Sequence, residues 1–214
     1  MNIEKIQTIL LIIFLIVNFP LIGMSRTLSV LKFFIFQGIL LAFSAFLFNY
    51  EESVQKFILP TLILFAKAII IPYLIKVTIV STKAYEERKP FIAFDTSIVL
   101  AIIATMAAIS LGSKLNFLPN ISSHTIAISL SVIFIGMISI LGRKNAIFQI
   151  MGYMAMENGI FLLTLPLSQT NPLIIDVLIL VDVLVAITVR KNAVYWISKE
   201  FSSIDVDKLT ALKG

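Results

Sequence analysis

Three ionisable residues lie inside apolar stretches long enough to cross a bilayer: Lys67, Glu157 and Asp182. A charge at the centre of a membrane costs about 2.5–3.5 kcal/mol on insertion scales, so each is a functional candidate by default. At ~1.5 Å of rise per residue, Lys67 lies ~15 Å and Asp182 ~14 Å from the same end of their stretches, and Glu157 ~17 Å from the other end. In a hydrocarbon core about 30 Å thick, all three fall near the midplane. Carboxyl and amine groups removed from water can each exist charged or neutral, so such a row can pass a proton from one member to the next. The same residues could instead form a static Lys–acid clasp that only joins helices. Both readings follow from the spacing.

Asn145, Gln149, Tyr153 and Glu157 recur every four residues, which places them on one slowly drifting helix face. That stripe starts at the polar turn Gly142-Arg143-Lys144-Asn145 and ends on the buried carboxylate, a possible proton lead-in. Its alternative is a helix–helix contact face, which Gly152 and Gly159 favour by permitting close approach. Pro72 follows Lys67 by five residues. It removes one intrahelical hydrogen bond and clashes with the carbonyl of Ala68, predicting a kink beside the lysine. Asp95, His124 and Asp176 sit at stretch ends, where helix-start and interfacial roles suffice.

The elements that must hold these residues are membrane helices. Hydrophobic residues make up 59% of the 214, and charged ones only 14%. A soluble domain carries about 25% charged residues, so a soluble enzyme, a nucleic-acid binder and a disordered chain are excluded. Seven runs approach the ~20 residues a span requires: Ile6–Met24, Leu28–Phe48, Phe57–Val80, Thr96–Leu111, Thr125–Leu141, Ala146–Leu165 and Leu173–Ile197. The fourth is the shortest. The first is read as a retained helix rather than a secretory signal, because it is long, contains Asn18-Phe19-Pro20 and lacks a small-x-small cleavage site. The fold expected is therefore all-α and polytopic, with residues 1–80 holding helices one to three. Residues 81–123 hold a cytoplasmic loop, the fourth helix and an outer loop; residues 124–198 hold helices five to seven, and 199–214 a cytoplasmic tail. Cysteine is absent and histidine occurs once, so no cofactor or metal is expected in this chain. Redox chemistry, if any, belongs to a partner.

With seven spans, Lys5, Lys56 and Lys114 fall on one side of the membrane, and thirteen other basic residues on the opposite side, Arg143 and Lys144 among them. The positive-inside rule then predicts an outside N-terminus and a cytoplasmic C-terminus. Ser25-Arg26-Thr27-Leu28 opens the second span much as Gly142-Arg143-Lys144-Asn145 opens the sixth. Spans one to three thus weakly echo five to seven as a parallel repeat, in which Lys67 and Asp182 hold comparable places.

At these residues the chain resembles a known family. The stretch Arg143 to Tyr153 with Met156-Glu157-Asn158-Gly159 is similar to the sixth helix of hydrogenase-4 component E. Val181-Asp182, the Lys67-to-Pro72 segment and the ending Ile204 to Gly214 are similar to it too. Length and span count extend the resemblance over essentially the whole chain. The C-terminal half also resembles the three-helix K subunit of complex I (NuoK) and MrpC of cation/proton antiporters, matching at Arg143, Asn145, Gly152 and Asn158, with an acid at Asp182. One departure is plain. An ungapped match puts that family's second-helix Glu at Met154, whereas the acid here is Glu157, three residues or about 4.5 Å along the helix.

The resemblance implies a non-catalytic subunit in the inner (cytoplasmic) membrane of a prokaryote, within a formate hydrogenlyase-like or group 4 [NiFe] hydrogenase complex. There it would move protons or Na⁺ through the buried charges. Its implied partners are antiporter-like membrane subunits, with soluble redox subunits reached indirectly. A structural scaffold, or the equivalent subunit of a cation/proton antiporter-like complex without hydrogenase, are the alternatives. A stand-alone transporter is disfavoured by the short chain.

Overall fold

A computed structural model describes residues 3–48, 55–87, 89–115 and 121–166. In lipid, backbone N–H and C=O groups must be satisfied within the segment, which favours helix, and every regular element among the described residues is helical. These are α1 (Ile3–Asn18), α2 (Pro20–Gly23), α3 (Thr27–Phe48), α4 (Gln55–Ile63), a π-helical stretch (Leu64–Ile70), α5 (Ile71–Thr82), α6 (Phe94–Lys114), α7 (Ser123–Gly142) and α8 (Ala146–Thr164). They provide six stretches long and apolar enough to cross a membrane: Lys5–Gly23, Thr27–Phe48, Pro60–Thr82, Phe94–Lys114, Ser123–Gly142 and Ala146–Thr164. The protein is a multi-pass membrane protein, and these six correspond to the first six runs of the sequence.

The fourth stretch departs most from its sequence reading. Helix continues through Phe94 and Asp95 at one end and Gly112 to Lys114 at the other, giving 21 residues where the apolar run is shorter. Polar residues stop the hydropathy signal before they stop the helix. The seventh run Leu173–Ile197, with Asp176, Asp182 and the tail, lies outside the described residues.

Prolines mark the irregularities. Helix α1 ends at Asn18, and Pro20 restarts the chain as the first residue of α2, where its missing N–H would have no intrahelical partner anyway. In the third span, Pro72 does not simply kink an α-helix. The preceding seven residues widen into π geometry, in which the Ile71 N–H bonds to the Ala66 carbonyl five residues back. In that register, residue 72 lies opposite Lys67 rather than Ala68, which relieves the clash between the ring and the Ala68 carbonyl. Single π turns inside α-helices recur at functional sites, and this one contains Lys67.

Three connections gather at one end of the bundle. The Thr27 N–H donates to the Tyr85 carbonyl (3.0 Å), the Glu87 N–H to that of Ser25 (2.9 Å), and the Phe91 N–H to that of Gly142 (2.9 Å). At the opposite end the Gln7 amide donates to the Leu47 carbonyl (3.3 Å). The spans therefore alternate in direction as the charge pattern requires. Arg26, Lys83, Lys89, Arg143 and Lys144 share the first end, hereafter the basic end.

Helices α7 and α8 form the tightest pair. A Cβ on Gly136 would lie 2.6 Å from the Gly152 carbonyl oxygen, and one on Gly159 would lie 2.9 Å from that of Ser129. The small residues at 152 and 159 thus act as a contact seam, as their spacing suggested. Elsewhere the buried apolar residues form two main clusters. One joins Phe14, Leu40, Leu41, Ile63, Val132 and Phe161 in the half away from the basic end. The other joins Leu21, Phe34, Ile71, Ile75, Met151 and Met154 in the half nearer to it.

Candidate functional site

The two apolar clusters leave a gap at the same level of four spans. Between Phe14 and Leu21 lies Asn18, between Phe34 and Leu40 lie Gln37 and Gly38, between Ile63 and Ile71 lies Lys67, and between Ala155 and Phe161 lie Glu157 and Asn158. Asn18, Gln37, Lys67, Glu157 and Asn158 are all buried, with at most 3% of their surface exposed. A polar layer therefore crosses the apolar interior.

At its centre, Lys67 Nζ stands 3.7 Å from Glu157 Oε2, so the structure brings together two of the three charges singled out in the sequence. Asp182, the third, lies outside the described residues. The π turn carries Lys67 on a backbone that touches α3. A Cβ on Gly38 would lie 2.7 Å from the Lys67 carbonyl oxygen, so only glycine permits this approach. Phe161 sets its ring 5.5 Å from the ammonium, adding a cation–π contact to the ion pair. Beside Glu157, neither amide atom of Asn158 has a hydrogen-bond partner among the described residues. Met154, where the ungapped family match would place an acid, packs in the apolar cluster nearer the basic end, 1% exposed. The three-residue displacement places the carboxylate in the polar layer.

The lead-in stripe has a more local structure. The Asn145 side chain accepts from the Ile147 N–H and caps α8 (2.9 Å). Gln149 Nε2 donates to the Arg143 carbonyl (2.8 Å). Tyr153 is 37% exposed. Two of the three positions thus secure the start of α8.

Arg143 and Lys144 belong to a second charged centre, at the basic end. The Arg143 guanidinium stands 3.4 Å from Glu87 Oε2 and also donates to the Leu21 and Ile22 carbonyls, the last three carbonyls of α2 being otherwise short of partners. Phe94 and Phe148 pack on it, 4.3 and 5.1 Å from their ring centres. Burial pushes its pKa below the ordinary arginine value, and the charge of Glu87 opposes that shift. The other oxygen of Glu87 accepts from the Lys144 and Asn145 N–H groups (2.6 and 2.8 Å), while the Lys144 ammonium lies over Phe91 (4.9 Å).

Glu87, Asn18 and Gln37 were not singled out in the sequence. Glu87 sits in the charge run Glu86-Glu87-Arg88-Lys89, which reads as a solvated loop. The two amides interrupt apolar runs, and a scan for charges passes over them. Asp95 and His124 are exposed in the first turns of α6 and α7, consistent with helix-start positions. Among the described residues, no group of three metal-ligating side chains occurs.

Residues 124–214 match the family model described as NADH-ubiquinone/plastoquinone oxidoreductase chain 4L. Over 89 residues the chain is 33% identical to hydrogenase-4 component E of Escherichia coli (strain K12), covering 42% of this chain and 41% of that protein. The figures are the same for hydrogenase-4 component E of Shigella flexneri. An uncharacterized protein of Mycobacterium tuberculosis (strain ATCC 25618 / H37Rv) is 24% identical over 153 residues, 71% of this chain and 70% of that protein. The chain thus spans about 41% of the length of the hydrogenase-4 components it matches. The resemblance to both families read from the sequence is found, over a shorter extent than the whole chain. No solved structure matches it.

Proposed function

We infer that this chain is a membrane subunit of a complex I-like, energy-converting assembly, and that Lys67 and Glu157 exchange protons at mid-membrane. One observation carries the reading: a buried amine and a buried carboxylate, from two distant spans, meet 3.7 Å apart in a polar layer between apolar clusters. At that distance the pair is looser than a short charge-assisted hydrogen bond of about 2.7–2.9 Å. Each partner can change protonation state, and each biases the other when it does. Glu157 also lies within the residues that match the chain 4L family. Asp182 is proposed as the next member of the row, in helices five to seven, residues 124–198.

The finer assignment follows from the hydrogenase-4 relatives. It is a complex of formate hydrogenlyase or group 4 [NiFe] hydrogenase type, with antiporter-like subunits as lateral neighbours and the electron carriers in other chains. The proton is the preferred ion over Na⁺, since among the described residues the layer offers one carboxylate and an amine rather than a cage of oxygens. The basic end is assigned to the cytoplasm of a prokaryotic inner membrane.

The test uses the assembled complex in inverted membrane vesicles. Glu157→Gln should retain the full set of subunits and lower coupled proton movement at least tenfold. Lys67→Gln, which keeps a hydrogen-bonding group at the site, should do the same. Full proton movement in both variants would overturn the reading in favour of a scaffold, the role to which the Arg143–Glu87 centre is suited.

A further inference from the structure

The polar layer does not stop at the ion pair. On the side of α1 and α3, Gln37 Nε2 donates to Asn18 Oδ1 (2.8 Å), and Asn18 Nδ2 donates to the Phe14 carbonyl (2.7 Å). Each primary amide has two N–H donors and a carbonyl with two lone pairs. The second N–H of each amide and the Gln37 carbonyl oxygen have no hydrogen-bond partner among the described residues. These groups border a cleft of about 10 Å³ lined by Val17, Asn18, Leu21, Phe33, Phe34 and Gln37. That is about the smallest space that holds one water, and a water there needs two to four polar partners. The next residue along α3, Gly38, is the one that touches the Lys67 backbone.

We propose that Asn18 and Gln37 form a water-binding station that continues the polar layer from the Lys67–Glu157 pair to the α1–α3 side of the bundle. An apolar environment leaves three unused polar groups costly unless water satisfies them, and the cleft has the room and the chemistry for one. Break and restart of the first span at Asn18–Pro20 give the station its shape, because the side chain of Asn18 folds back on its own helix at the point where the helix ends. Asn145 and Gln149 are engaged in starting α8, so the amide station is the better-placed wet approach to the centre. As a route for protons, this rests on the proposed function; as a water site it does not.

The chain has no cysteine, so a single introduced thiol can be followed in the full complex by the mass of this subunit after treatment with a charged methanethiosulfonate. Gln37→Cys should label at least tenfold faster than Phe14→Cys, buried in the apolar cluster, and Phe36→Cys, on the exposed face of the same helix. Phe33→Cys, at the mouth of the cleft, disturbs no buried group and should also label faster than Phe36→Cys, which covers the case in which Gln37→Cys does not assemble. Labelling at 37 and 33 no faster than at 36 would overturn the station. In parallel, Gln37→Leu should lower coupled proton movement at least fivefold with subunits retained; unchanged movement would overturn its part in the route. Glu157→Gln separates the two ideas. If that variant pumps normally while Gln37→Cys labels fast, the charged-pair reading falls and the water site stands. If it fails to pump while position 37 is inert, only the station falls.

Discussion

Two buried ion pairs among the described residues are built differently. Arg143–Glu87 is saturated: the guanidinium reaches a carboxylate and two backbone carbonyls between two aromatic rings, and Glu87 also accepts two N–H groups. Arginine is effectively always charged, so the cation of this centre keeps its charge. Lys67–Glu157 is a 3.7 Å contact beside the Phe161 ring, with the lysine carried on a π turn between apolar clusters. The first arrangement fixes geometry, and the second can change. A buried charge alone does not indicate ion movement. What separates the two is the cation: a guanidinium held between a carboxylate, two carbonyls and two rings, or an ammonium 3.7 Å from its acid in a widened turn.

The strongest way to break the comparison is Arg143→Met. Leaving Glu87 buried without its partner should cost about 3–5 kcal/mol, seen as loss of the subunit from the purified complex. Lys67→Met or Glu157→Leu alone should cost a similar amount by the same mechanism, with a lowered thermal midpoint of the solubilised complex. The double variant Lys67→Met with Glu157→Leu sharpens the contrast, because replacing both members of a buried pair by apolar groups is often neutral or stabilising. Its stability should return to within about 1 kcal/mol of the parent, while proton movement stays lost. Recovery of both would mean the pair only joins helices.

Smaller effects follow. Gly136→Ala forces a methyl against the α8 backbone and should destabilise by about 1–3 kcal/mol, measured by the same thermal midpoint, with proton movement per assembled complex unchanged. Phe161→Leu removes the ring beside Lys67 and should cost about 0.5–2 kcal/mol, the smallest of the set. An equal loss of proton movement in Gly136→Ala and Glu157→Gln would erase the distinction between packing and proton handling.

Much of this was legible in the residues. Six apolar runs located six helices to within a few residues, because hydrocarbon forces backbone groups to bond within their own segment. Lys67 and Glu157 stood out for the same reason: charge is rare where solvation is lost. The pairing between them was not legible, since periodicity says nothing about which helices are neighbours. Pro72 foretold an irregularity, but not that a widened turn would take it up. Glu87 remained hidden, because a Glu-Glu-Arg-Lys run looks the same whether it meets water or turns inward. Asn18 and Gln37 were missed because neutral amides carry no net charge, although their hydrogen-bonding groups require satisfaction all the same.

The Glu87–Arg143 pair also bears on how the chain is made. Its partners are 56 residues apart, which at about 5–20 residues per second means roughly 3–11 seconds between their synthesis. During that interval the first three spans carry Glu87 and the end of α2 without the arginine that receives both. Completion of the turn at 142–145 seats both together. Nascent chains halted before that turn should be degraded faster than chains halted after α8, measured by pulse-chase in membranes.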